Sequence, residues 1–381
     1  MMARLGDVCA KITDGSHNPP QGISCSEYLM LSSKNIYDDD ISFDDPRYLS
    51  KENYETENKR TQISAGDILL TIVGTVGRAA VVSKTEKKIC LQRSVAVIKP
   101  KQELIDSRFL MYQLQSMRTH LEQEARGVAQ KGIYLRQVEN LQIKVPSRGE
   151  QLQVVSNLDQ ISELISLRKQ QLAKLDELVK SRFIELFGDQ KANPFGWPQT
   201  TIGDCCTLKS GTSLPADKEN EGGRIPYVKV GDMNYPGNEQ YITTSSRFVT
   251  EQTAGAGIFP VGTVIFPKRG GAIGTNKKRL TTLPICADLN VMGVTAGNAL
   301  KSQYLMAYFN LVDLGALDNG SSVPQINNKD IAPLVICLPP LALQEQFAAF
   351  VEQTDKSKLV IQESLAELET LKKALMQKYF G

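Results

Sequence analysis

Two glycine-punctuated strings, "GTVGRAA" (Gly74–Ala80) and "KRGGAIGTNKKR" (Lys268–Arg279), hold residues suited to gripping an anion. Glycine lets the backbone approach a phosphate closely, and Thr, Asn, Arg and Lys supply donors. The candidate donors of the second string are Lys268, Arg269, Thr275, Asn276, Lys277, Lys278 and Arg279; Arg78, Gln92 and Arg93 are weaker counterparts earlier in the chain. Between Gln252 and Ala287 the five basic residues of that set meet no acidic one, although the whole chain carries a formal net charge of only +2. Local patches, not net charge, would have to attract a polyanion. A solvated hairpin with ordinary surface charge is the plain alternative. Ser16, His17 and Asn18, in "TDGSHNPP", form a polar turn that could reach a groove or be a turn and nothing more.

Catalytic chemistry finds little material. With only His17 and His120, His-based zinc sites and Ser-His-Asp triads are not expected, and neither a catalytic nor a metal site is assigned. "NPP" at Asn18–Pro20 is the start of the Asn-Pro-Pro-aromatic motif of amino-methyltransferases, in which the aromatic stacks on a flipped base. Here Gln21 stands in the aromatic position, and no strand followed by a glycine-rich cofactor loop precedes it. "GTVG" and "GGAIG" are not GxGxxG leading into a helix, and no GxxxxGK[ST] occurs. The seven cysteines form no CxxC pair, and an odd count suits a reducing compartment. No apolar run approaches eighteen residues and "MMARLGDVCAKITD" has no apolar signal core, so neither a membrane span nor a secretory leader is expected.

The elements that position these residues come in duplicate. At 381 residues, 41% hydrophobic and 23% charged, the chain can bury two ordinary cores. With an offset of 193, Val154–Gly188 aligns without gaps on Phe347–Gly381, including Leu172/Leu365, Leu175/Leu368, Phe187/Phe380 and Gly188/Gly381. The same register carries "GVAQKGIYLRQVENLQIKVP" (Gly127–Pro146) onto "GSSVPQINNKDIAPLVICLP" (Gly320–Pro339). Upstream, at offsets of 195–197, "LGDVCAKITDG" answers "IGDCCTLKSGT", and "SAGDILLTIVGTVGRAAVV" answers "FPVGTVIFPKRGGAIGTNK". Cys9/Cys206 and Cys90/Cys286 fall at equivalent places and read as small core residues. Each module is read as α+β with a twisted, partly open sheet. "DILLTIV", "AAVVS" and "SVAVIKP" are strands, Ser107–Ala125 is a helix echoed by "SQYLMAYFNLVDLGAL", and "VENLQIKVP" is a closing run.

A long helix follows each module. The first carries Leu158, Ile165, Leu172, Val179 and Leu186 every seven residues, but its second core series is broken by Arg168 and Arg182 beside Ile161 and Leu175. The C-terminal helix has the complementary defect: Val351, Lys358, Leu365 and Lys372 in one series, Thr354, Ile361, Leu368 and Leu375 in the other. The expectation is an antiparallel coiled coil related by an approximate two-fold, its seam including Leu158, Ile165, Leu172, Leu175, Val179, Ile361, Leu365, Leu368 and Leu375. Packing of each helix on its own module is the alternative. Some 35–38 helical residues span roughly 55 Å, enough to hold two reading heads apart as a ruler for a duplex with its own two-fold. The expected segments are a module over 1–146, a helix over 147–188, a module over 189–339 and a helix over 340–381.

In this order and in duplicate, the residues resemble the specificity (S) subunits of type I restriction–modification enzymes. The resemblance covers essentially the whole chain and rests on "GDILLTIVGTVGRAAVV", "IPYVKVGDMN", "RGVAQKGIYLRQVENLQIKVP" with its echo "NGSSVPQINNKDIAPLVICLP", and the helix-plus-"LFG" endings. It implies that each module is a target-recognition domain reading half of a bipartite, gapped site in double-stranded DNA. It implies helices that set the gap and dock two methyltransferase subunits, a restriction subunit that joins to cleave, and no catalysis in this chain. S-adenosylmethionine, ATP and Mg would belong to those partners, in a bacterial or archaeal cytoplasm. The alternative from another class is a coiled-coil adaptor that holds proteins and reads no DNA.

Overall fold

The computed structural model describes residues 1–84, 87–125, 131–220, 222–317 and 323–381. It forms two compact units, Met1–Gln170 with Gln362–Gly381, and Gln171–Ile361, so each unit joins one module to a part of each long helix. The openings of the two paired segments, Gly127–Gln130 and Gly320–Ser322, lie outside the described residues.

In the first unit, strand Met2–Arg4 pairs antiparallel with Gln142–Lys144 and ties the start of the module to its end. A four-stranded antiparallel sheet runs in the order Cys9–Asp14, Val95–Pro100, Ile68–Thr71, Ala79–Val81. A three-stranded sheet follows the order Arg47–Tyr48, Tyr28–Leu31, Lys88–Leu91, its last pair parallel. "ILLT" is buried throughout because both faces of its strand are covered. Ile68, Leu70, Ala96 and Ile98 face a core shared with helix Ser107–Ser116, while Leu69, Ala80, Val95 and Val97 face one shared with the smaller sheet. The period of two thus divides one short run between two cores.

The second unit repeats the plan. Cys206–Ser210, Val291–Ala296, Thr263–Pro267 and Arg279–Thr281 lie in the same order, extended by Tyr241–Ile242, and Ile225–Val228 pairs parallel with Ile285–Ala287. Cys9 and Cys206 open the equivalent strand; Cys90 and Cys286 sit opposite Met30 and Tyr227 in the equivalent parallel pair. Cys9, Cys90 and Cys286 are buried, but Cys206 is half-exposed, so it is not a core residue in the sense expected. Burial pushes the Cys9 and Cys90 thiols up to about 12, away from reactive thiolate.

Several local expectations need correction. "LGDVCAKITDG" does not answer its counterpart residue for residue. A bulge between Cys9 and Lys11 adds one residue, which brings Gly15, not Asp14, opposite Gly211. Both glycines pass so close to a neighbouring strand that a Cβ would lie 2.1 Å from the Leu91 or Asp288 carbonyl oxygen. The helix expected over Ser107–Ala125 breaks at Met117 into Ser107–Ser116 and Arg118–Glu124, and its echo ends at Leu311, followed by a 3-10 turn over Gly315–Leu317. "VENLQIKVP" is strand only over Gln142–Lys144, since Val138 and Glu139 belong to helix Leu135–Glu139.

The long helices run Arg148–Phe187 and Leu341–Phe380, 40 residues each. Ser147 and Glu150 form a capping box at the first: the Glu150 carboxylate accepts from the Ser147 amide (2.9 Å), and Ser147 Oγ accepts from the Glu150 amide (3.4 Å). Within each unit the helices pack antiparallel. Asn157 donates to Tyr379 and Arg168 to Ser364 in the first, while Asp176 pairs with Lys358 and Phe183 packs on Phe347 in the second. Leu158 is fully buried, and Ile165, Leu172, Leu175, Val179, Ile361, Leu365, Leu368 and Leu375 are half-buried. The charged residues that interrupt the series have partners of their own. Lys358 meets Asp176 at 2.6 Å, Lys372 meets Asp39 at 2.7 Å, and the Arg182 guanidinium lies over Phe350. The helices also pack on the modules, so the two expected arrangements coexist. Phe380 meets Phe109 in the first unit, and its counterpart Phe187 meets Tyr304 in the second.

Gln151 and its counterpart Gln344 lock module to helix identically. Each is buried; its side-chain oxygen accepts from the Asp106 or Lys301 amide, and its nitrogen donates to Leu104 and Pro146, or to Ala299 and Pro339.

Candidate nucleic-acid interface

Both glycine-punctuated strings connect antiparallel neighbours, Ile68–Thr71 to Ala79–Val81 and Thr263–Pro267 to Arg279–Thr281. Each connection carries a glycine at positive φ as its third residue, Gly74 (82°) and Gly270 (70°). The later repeated segment clamps it in place. The Gly74 amide donates to the Lys131 carbonyl and the Ile133 amide to Ile72; the Gly270 amide donates to Pro324 and the Ile326 amide to Lys268. "KGIY" and "PQIN" therefore recur because they hold the turn, with Val73 facing Gly132 in one module and Arg269 facing Gln325 in the other.

In the first module the clamp gathers most of the candidates. Ser16, His17, Gln92 and Arg93 line one depression with Gly74 and Ser94. His17 and Arg93 also line the adjoining one with Asp14, Arg60 and Tyr134. Ser16 is fixed there by backbone bonds, its amide donating to Leu91 and its carbonyl accepting from Arg93. Arg78 stands across Gly74, in a third depression with Thr75, Arg118 and Lys131, its guanidinium 5.2 Å over the Tyr37 ring. Asn18 is exposed and lines none of these three. Arg93 is exposed with no ion-pair partner among the described residues, whereas Arg60 is paired to Asp14 and Arg118 to Asp38.

Asp14, Arg60, Arg118, Lys131 and Tyr134 were not among the sequence candidates. Lys131 and Tyr134 lie inside the repeated segment, which was the available signal. Nothing local marks Arg60, which reaches the site from helix Lys51–Thr61.

In the second module the basic cluster divides. Arg269 is exposed, without an ion-pair partner among the described residues, and Thr275 is exposed with its hydroxyl donating to the Ala272 carbonyl. Lys277 is half-buried and donates to Asn234. Lys268 donates to Ser210 Oγ at 2.8 Å; burial, then the neighbouring Arg269, pulls its pKa down. Asn276, in the left-handed region at φ 52°, accepts from the Leu314 amide and from Lys278. Lys278 and Arg279 do not present their charges as expected. Lys278 is 5% exposed and donates to the Val312 carbonyl, and burial lowers its pKa to about 8. Arg279 ties down the preceding loop through the Met233 and Asn238 carbonyls. Buried cations take carbonyl partners because an unpaired one is far more costly.

Among the described residues no cluster of His, Cys, Asp and Glu could hold a metal ion, and no helix is long and apolar enough to cross a membrane.

The model of the type I restriction modification DNA specificity domain matches residues 2–177 and again 194–370. The chain belongs to this family. Two copies of a DNA specificity domain give it a DNA target-recognition role, and the adaptor alternative finds no support. The chain is 32% identical over 158 residues to the Escherichia coli type I restriction enzyme EcoBI specificity subunit, a match covering 40% of this chain and 33% of that protein. It is 23% identical over 340 residues to the Methanocaldococcus jannaschii MjaIX specificity subunit, covering 82% and 76%. The fold is similar to that of the S subunit of a type I restriction–modification system from M. genitalium (TM-score 0.56, 15% identity, 100% and 96% of the two chains). It is equally close to a structure described for complex assembly and conformational transition of a type I system (0.55, 19% identity, 100% and 97%).

Proposed function

We propose that this specificity-domain chain reads a bipartite, gapped target in double-stranded DNA, one half-site per module, and directs methyltransferase and restriction subunits to it. One observation carries this reading: the same backbone clamp recurs in both modules with different side chains around it. Around the first clamp, at Val73 and Gly74, stand Asp14, His17, Arg60 and Arg93; around the second, at Gly270, stand Ser210, Lys268 and Arg269. One scaffold bearing two chemistries supports two dissimilar half-sites, since donors and acceptors on base edges specify sequence while the shared backbone positions the reader.

The long helices would set the gap. Their outer faces leave Leu164, Leu167 and Leu371 exposed in the first unit and Leu178, Leu359 and Val360 in the second. Exposed apolar side chains on both long helices support docking of two methyltransferase subunits there, with a restriction subunit joining them. The chain itself would be non-catalytic and cytoplasmic, with S-adenosylmethionine, ATP and Mg bound by its partners.

Binding to random and selected duplexes, measured across a salt series with the methyltransferase subunits present, tests the reading. A steep salt dependence together with a gapped consensus is expected. Equal affinity for every duplex would sink it.

A further inference from the structure

We infer that the buried Asp14 carboxylate fixes the polarity with which His17 meets a base, so that the first module presents an acceptor, the His17 Nδ1 lone pair, beside the free donors of Arg93. The inference rests on the first module being a DNA reader and goes on to say what kind of base one of its residues selects.

The Asp14 side chain is only 9% exposed and has two partners. One carboxylate oxygen accepts from Arg60 Nη2, and the other lies 2.8 Å from His17 Nε2. Arg60 is held in turn by Thr13, to which its Nε donates. A carboxylate ion-paired with a guanidinium can only accept, so the hydrogen between Asp14 and His17 belongs to Nε2. A neutral imidazole with its hydrogen on Nε2 carries a lone pair on Nδ1. That atom has no partner among the described residues, and the ring lines the same two depressions as Arg93.

In the major groove an acceptor selects an amino group, adenine N6 or cytosine N4, whereas arginine donors select guanine O6 and N7. His17 and Arg93 therefore ask opposite questions of neighbouring positions. The second module lacks this device: with Gly15 matched to Gly211, Ser210 stands at the place of Asp14 and Ser213 at that of His17. The effect is confined to one half-site.

Asp14→Asn provides the test. Arg60 still donates to the side-chain oxygen, so the new amide nitrogen turns toward His17, which must accept at Nε2 and carry its hydrogen on Nδ1. The chain, with its methyltransferase subunits, is assayed against duplexes randomised at each base pair of the target, and its methylation motif is sequenced in cells. At one base pair of one half-site, the wild type is expected to favour adenine or cytosine. Asp14→Asn should move that preference toward guanine or thymine by on the order of ten-fold, and leave the other half-site unchanged. His17→Ala, at an exposed position, should erase preference at the same base pair even if Asp14→Asn fails to fold. Methylation that continues in both variants with an unaltered motif would overturn the inference. A wild type that selects no sequence at all would instead remove the DNA-reading role beneath it.

Discussion

Arg269 and Lys278 belong to one basic string and use their charges differently, one facing solvent and the other spent on the Val312 carbonyl. Arg269→Ala is expected to weaken binding and to reduce the slope of log affinity against log salt by about 1. Lys278→Met should leave that slope unchanged. Lys278 has a separate signature in stability. Its pKa is about 8 in the folded chain against 10.5 ordinarily, so between those values the unfolded state holds the extra proton. Stability must then rise as pH climbs from about 8 to about 10.5, and Lys278→Met should flatten that rise in urea titrations at stepped pH. Composition located the basic string but could not sort it. The groups that decide which cation turns inward, Val312, Met233 and Asn238, lie far from it in sequence. Asp14 was unreadable for the same reason, because its partner Arg60 comes from a separate helix.

Among the elements, the long helices were the most legible, because a seven-residue repeat survives even where Lys358 and Lys372 interrupt it. Those interruptions are polar anchors: Lys358 pairs across the helices with Asp176, and Lys372 reaches Asp39 of the module, a partner an isolated seam would lack. The break at Met117 and the bulge after Cys9 were not legible, since each shifts hydrogen bonding by a single residue without changing the apolar pattern. The Gln151/Gln344 pair stands just upstream of the aligned helix segment and shares its offset, yet its role depends on backbone groups at Asp106 and Lys301. Gln151→Leu keeps the volume and removes the bonds, leaving one amide and two carbonyls without partners. It should destabilise the first unit by about 1–3 kcal/mol, read as a lower urea midpoint. An unchanged midpoint would show that water replaces the glutamine.

At the scale of the whole molecule, duplication is the organising fact: two modules, two helices and one clamp used twice. Adding seven residues after both Leu172 and Leu365 keeps the heptad register and lengthens each helix by about 10.5 Å. That is close to three base pairs at roughly 3.4 Å each. The gap between half-sites should grow by that amount while both half-sites stay as they were; an altered half-site would mean that the helices do more than measure. The central claim, two dissimilar half-sites read by two modules, is tested most directly by sequencing the methylome of cells that carry this chain with its methyltransferase subunits. The expected result is one gapped motif, methylated only when the chain is present, whose two halves change independently when one module is exchanged. A continuous motif, or methylation indifferent to the chain, would contradict it.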